Sequence, residues 1–182
     1  RRDALLLRYA LDGPYRLGIV AAPHLGANGN DNTAWVEDGA LHAAIPGQAT
    51  CIAADVAMAD LSVGYVGASD GWQDLARNGR FTHAFPRAAE GNVAMSASLA
   101  ARHGTLAVAF GPIPAAARTL AVSALAEGYE TVRAGFVAGW EHWGRRLALP
   151  APDDALRAAA ETSATVLKTH EDRMFPGAIV AS

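Results

Sequence analysis

Turn chemistry punctuates the first 111 residues at short intervals, and that spacing excludes most folds. The signals are Asp12-Gly13-Pro14, Glu37-Asp38-Gly39, Pro46-Gly47, Asn78-Gly79, Glu90-Gly91-Asn92 and His103-Gly104. Between them, segments 5–11, 15–22, 49–55, 92–100 and 105–111 are apolar or alternating and too short for helices. Such a pattern predicts an antiparallel β-sandwich. Asp38-Gly39 and His103-Gly104 suit two-residue hairpins, because glycine tolerates the positive φ that those turns require.

After Gly111 the period changes. Pro112 and Pro114 end the last strand, and Pro114 suits the first turn of a helix, where a missing N–H is harmless. Gly128 is expected to interrupt the helical region. Tyr129, Val132, Phe136, Trp140, Trp143 and Leu147 then recur at helical steps on one face. Core packing, with Trp140 and Trp143 enclosed between this connector and a neighbouring domain, is preferred to a sugar-lining stripe. A second break falls at Leu149-Pro150-Ala151-Pro152, after which Asp153 stands where an N-cap belongs. Leu156, Ala160, Ser163, Leu167 and His170 share a face of the next helix, which Pro176-Gly177 ends. Ala178-Ile179-Val180-Ala181 reads as the start of a buried element, and the chain opens at Arg1 close to a strand-like run. A piece of a larger protein is the expectation.

Of the 182 residues, 51% are hydrophobic and 18% charged, which suits a packed core and excludes disorder. A net charge of −3 without a run of like charges argues against nucleic acid. The longest apolar runs fall well short of the roughly 20 residues a membrane helix needs. One cysteine, Cys51, precludes an internal disulfide or a cysteine zinc site, and its apolar strand marks it as a buried small hydrophobe.

Few stretches carry candidate chemistry. Gly26-Ala27-Asn28-Gly29-Asn30-Asp31-Asn32 offers oxygens that suit calcium, but the spacing matches no EF-hand and an ordered turn-rich loop is the expectation. No other cofactor is indicated. Ser69-Asp70-Gly71-Trp72-Gln73-Asp74-Leu75 has the form of a capped helical turn. Trp72, Gln73 and Asp74 are candidate sugar contacts, but the expected arrangement sends Trp72 and Leu75 together into the core. Glu171 and Asp172 point about 100° apart on a helix, poorly placed as an acid–base pair, and are expected to solvate its end. Glu127, Glu130, Glu141 and Glu161 are expected on solvated faces. The histidines form no His-x-x-x-His or Glu-x-x-His pair, and no phosphate-cradling glycine loop precedes a helix. No catalytic residue is assigned.

Several longer motifs are more specific. Ala22-Pro23-His24-Leu25-Gly26 is followed by Asn32-Thr33-Ala34-Trp35-Val36. Gly64-Tyr65-Val66-Gly67-Ala68 runs into the Ser69–Leu75 stretch above, with Gly91-Asn92-Val93-Ala94 after it. Together with the Pro-Gly-Ala-(apolar)-(apolar)-Ala-Ser ending, these resemble bacterial and archaeal glucoamylases and glucodextranases, glycoside hydrolase family 15. The resemblance implies an incomplete antiparallel super-β-sandwich over 1–111, a helical linker over 112–150, and the first helix and entry loop of an (α/α)₆ barrel over 151–182. It further implies a parent enzyme that removes glucose from α-glucans or α-gluco-oligosaccharides with inversion, using two glutamates beyond Ser182. This segment alone is then expected to be inactive. The residues by themselves leave a second reading open, a non-catalytic carbohydrate-binding or scaffolding sandwich.

Overall fold

Nine strands and four helices follow one another in the computed structural model, which describes residues 3–27, 29–149, 153–172, 175 and 177–180. The strands are β1 (Ala4–Ala10), β2 (Gly18–Ala21), β3 (Asn32–Glu37), β4 (Ala40–Ile45), β5 (Gln48–Ala54), β6 (Met58–Tyr65), β7 (Arg87–Gly91), β8 (Val93–Leu99) and β9 (His103–Gly111). The helices are α1 (Gly71–Asn78), α2 (Pro114–Glu127), α3 (Tyr129–Arg145) and α4 (Asp154–Thr169). All pairings are antiparallel. A six-stranded sheet in the order β1-β9-β5-β4-β3-β7 faces a three-stranded sheet, β2-β8-β6. Leu41, Ala43 and Ile52 from the first sheet meet Val63, Val93, Met95 and Leu99 from the second in one core.

Local turn chemistry accounts for the central meander. Glu37 stands opposite Ala40, and Asp38 and Gly39 take φ of 46° and 71°, which makes the expected two-residue hairpin. Ile45 stands opposite Gln48 across Pro46-Gly47, where Gly47 supplies φ of 80°. His103-Gly104 is different from its expected role. Both residues lie inside β9, paired with Ala10 and Tyr9 of β1. The long-range pairing extends β9 backwards through a dipeptide that looks like a turn in isolation. β4 escapes the alternation test because four of its six residues are buried in a row, so both of its faces are covered there.

α2 forms a third layer on the outer face of the large sheet. Its Ala117, Ala121 and Ala124 are buried, and the first two pack with Ala40, Ala49, Cys51, Ala107 and Ala109. Pro114 opens this helix and Gly128 closes it, as the sequence predicts. The turn into it is tight: a β-carbon on Gly111 would lie 2.8 Å from the Ala117 amide nitrogen. Burial pushes the Cys51 thiol up to about 11, consistent with an inert hydrophobe.

The chain divides into two compact units, Arg1–Ala134 and Gly135–Ser182, with the boundary inside α3. No residue of α3 or α4 is buried. The α3 stripe exists as rings that touch each other. Phe136 and Trp140 are 6.1 Å apart, Trp140 and Trp143 5.4 Å, both edge to face. Enclosure of the two tryptophans is therefore not realised within this chain. Asp153 caps α4 through the Leu156 amide, but Leu156 and Leu167 of its predicted apolar face are exposed. Ile179 and Val180 are exposed as well, in a short antiparallel bridge where Glu171 pairs with Ile179, so the final run is not buried here. Pro150, Ala151, Pro152, Pro176, Ala181 and Ser182 lie outside the described residues. No described helix is long and apolar enough to cross a membrane.

Candidate functional site

The 64–75 motif builds a turn that spends most of its residues on holding itself together. β6 ends at Tyr65, whose N–H donates to Ser69 Oγ at 3.0 Å. Gly64 is obligatory, since a β-carbon there would fall 2.1 Å from the Ser69 carbonyl oxygen. Asp70 accepts from Gln73 N at 2.9 Å and from Gly67 N at 2.5 Å, which caps α1 and closes the turn with one carboxylate. The Tyr65 hydroxyl donates to Ala89 O at 2.9 Å and accepts from Ala89 N at 3.1 Å, tying the turn to β7.

Asp74 is buried under α1 and organises the return loop. It accepts from Thr82 N at 2.5 Å, Thr82 Oγ1 at 2.6 Å, His83 N at 2.8 Å and Asn78 Nδ2 at 2.8 Å. Burial alone would raise its pKa, but these donors outweigh it and hold the carboxyl well below the usual carboxylate range. Asp74 is thus a saturated structural anion. Its candidacy as a sugar contact is corrected: every oxygen already has donors.

Trp72 also departs from expectation, in the opposite direction. The residue is 66% exposed, whereas Gly71 and Asp74 form the buried face of α1. Gly71 approaches β8 so closely that an added β-carbon would lie 2.5 Å from Ser96 Cβ. With that face against the sheet, the next residue is rotated about 100° away. Trp72 therefore does not enter the core with Leu75. Tyr65, Val66 and Phe85 are likewise exposed on neighbouring parts of the motif and its return loop, and Gln73 is half-buried. Of the candidate residues, Trp72 and Gln73 remain available for contact.

The other motifs are consumed by packing. Asn32, buried, accepts from Leu25 N at 3.1 Å and donates to Leu25 O at 3.2 Å, closing the 26–32 loop as a clamp. His24 lies against Gly29, where a β-carbon would come within 2.8 Å of its ring. Asn28 lies outside the described residues. Trp35 stacks on buried His42 with ring centroids 5.3 Å apart, and burial lowers the His42 pKa, which favours the neutral ring. That cross-strand pair is invisible from sequence spacing alone. Glu171 and Asp172 do not solvate a helix end. Glu171 pairs with Lys168 and accepts from Gly177 N at 2.9 Å, while Asp172 accepts from Phe175 N at 2.8 Å, so both fold the final segment back. Glu127, Glu130, Glu141 and Glu161 are exposed as expected, with Glu130 paired to Arg8. Among the described residues no group of three His, Cys, Asp or Glu side chains is arranged to hold a metal ion.

The family model for glucodextranase, domain N, matches residues 1–145. No curated relative matches the sequence. Among solved structures, a bacterial glucoamylase crystallised with acarbose superposes with a TM-score of 0.84 at 23% identity. The match covers 100% of this chain and 28% of that one, and at this identity it establishes the fold.

Proposed function

The chain belongs to the glucodextranase N-domain family, and from that membership we propose that it is the accessory part of a glucoamylase-like glycoside hydrolase. In this reading the parent is exo-acting and inverting, of glucoamylase or glucodextranase type, and acts on α-glucans or α-gluco-oligosaccharides. The domains are a sandwich over 1–111, a helical linker over 112–150, and the first helix and entry loop of an (α/α)₆ barrel over 151–182. Inversion needs an acid to protonate the leaving oxygen and a base to activate water, with carboxyls about 6.5–9.5 Å apart. Both are glutamates of the barrel, and this chain supplies neither.

The observation that carries the reading is the family match over 1–145 on a fold shared with a bacterial glucoamylase. The state of the local carboxylates supports an accessory role. Asp70 is committed to a cap and Asp74 to a loop, so neither is poised for proton transfer. The exposed Trp72, with Tyr65, Val66 and Phe85, then serves as the surface on which the sandwich meets its catalytic neighbour.

The test is glucose release from maltose, isomaltose, starch and dextran by the 182-residue chain and by the product of the whole reading frame. The chain is expected to be silent and the longer protein active, with β-glucose as the first-formed anomer by NMR. Turnover by the repurified chain would refute the accessory role, and an α-anomer would refute inversion.

A further inference from the structure

The geometry points to a saccharide-binding groove on the outer face of the small sheet, lined in part by Leu75 of α1 and by the turn after it, but not by Trp72. The groove is half open to solvent and offers about 700 Å³, within the roughly 300–1,000 Å³ usual for small-molecule sites. Gly18 and Ser98 form its floor, Phe81 a wall, and Arg16, Asp60 and Arg80 its polar groups.

Three features show construction rather than accident. Asp60 takes φ of 52° where the register of β6 against β8 shifts between Ala59 and Ser62. A non-glycine residue in the left-handed region is a strained choice of the kind that gathers at binding sites. The bulge directs its carboxylate into the groove, where Ser98 Oγ donates to it at 2.5 Å and Arg16 Nη1 lies 4.0 Å away. Phe81 is held by close backbone on two sides: β-carbons on Gly18 and Gly71 would lie 3.1 and 3.0 Å from its ring. It is therefore a fixed apolar wall.

The donor set selects the ligand class. A vicinal diol donates from one hydroxyl to a carboxylate and accepts at the next from a guanidinium. Asp60 with Arg16 and Arg80 offers that alternation, and Phe81 offers an apolar face for pyranose C–H groups. With two guanidiniums to one carboxylate the lining carries a net positive charge, so a bare anion is the competing ligand. A neutral, hydroxyl-rich oligosaccharide satisfies both signs of charge. That its sugar is an α-linked glucan rests on the function proposed above; the groove itself does not.

Maltotetraose and isomaltotetraose titrated into the ¹⁵N-labelled 182-residue chain test the site, with inorganic phosphate as the alternative probe. Saturable amide shifts at Gly18, Asp60, Phe81 and Ser98 are expected with a saccharide. Arg80→Ala and Asp60→Gly should each weaken binding about threefold to tenfold, the usual worth of a hydrogen bond. Glycine tolerates the positive φ at position 60, so the second variant removes the carboxylate while keeping the bulge. Shifts with phosphate alone, saccharide shifts confined to Trp72, or no response would each overturn the groove. Glucose release by the longer protein without groove binding would leave the hydrolase standing, whereas groove binding without release would leave the groove.

Discussion

At the scale of single residues, Asp74 and Trp72 are separated by two positions and have opposite fates. Asp74 is an acid whose folded pKa lies below its ordinary 3.8, so its contribution to stability is complete above that value. The contribution disappears as pH falls below about 4 toward the depressed folded value. Asp74→Asn places an N–H₂ against donors, and should cost about 2–4 kcal/mol at neutral pH by unfolding titration. The gap between the variant and the native chain should narrow on acidification below pH ~4; a gap that stays constant would rule out the carboxylate's role. Trp72→Ala should change the stability of the 182-residue chain by no more than about 0.5 kcal/mol, as for an ordinary surface site. The Asp70 cap is legible in sequence because its partners, Gly67 and Gln73, lie three positions away on either side. The direction of Trp72 is not legible. It depends on Ser96, which β8 brings beneath Gly71 from 25 positions further along the chain.

Elements show the same division between local and distant causes. The Pro114 start, the Gly128 stop and the Asp153 cap follow from backbone chemistry, and all are found. That α2 is a packed layer could not be read from its sequence. An alanine-rich helix shows little contrast between faces, and its interface works through smallness: alanine meets alanine and cysteine on the sheet. Ala121→Leu should therefore destabilise by overpacking, about 1–3 kcal/mol in a denaturant titration. Val122→Ala, on the exposed side of the same helix, should be nearly neutral. Equal effects at the two sites would mean that the helix face is misassigned. On α3 the ring ladder is legible from its spacing, but spacing carries no information about what covers it. Trp140→Ala should cost this chain only about 0.5–1.5 kcal/mol, the worth of aromatic pairs.

For the molecule as a whole, protection from solvent should be uneven in a way that follows burial. All seven residues of β8 are buried. Val93, Met95, Ala97 and Leu99 enter the sandwich core, while Ser96 faces Gly71 of α1 and Ser98 faces Asp60. β4 is covered by the core on one side, and its Ala40 meets the α2 layer on the other. Opening these strands requires dismantling the first unit, so their amides should exchange only through global unfolding. α4 has no buried residue, and its side-chain hydrogen bonds are local ones, such as Thr162 to Ala158 O and Ser163 to Ala159 O. An isolated helix of about this length is marginal in water, so its amides should exchange by local fraying, orders of magnitude faster than those of β8. Hydrogen exchange followed by mass spectrometry on the 182-residue chain measures both sets at once. Protection of α4 equal to that of β8 would refute the argument, because it would require apolar cover over Leu156, Val166 and Leu167, all of which are exposed.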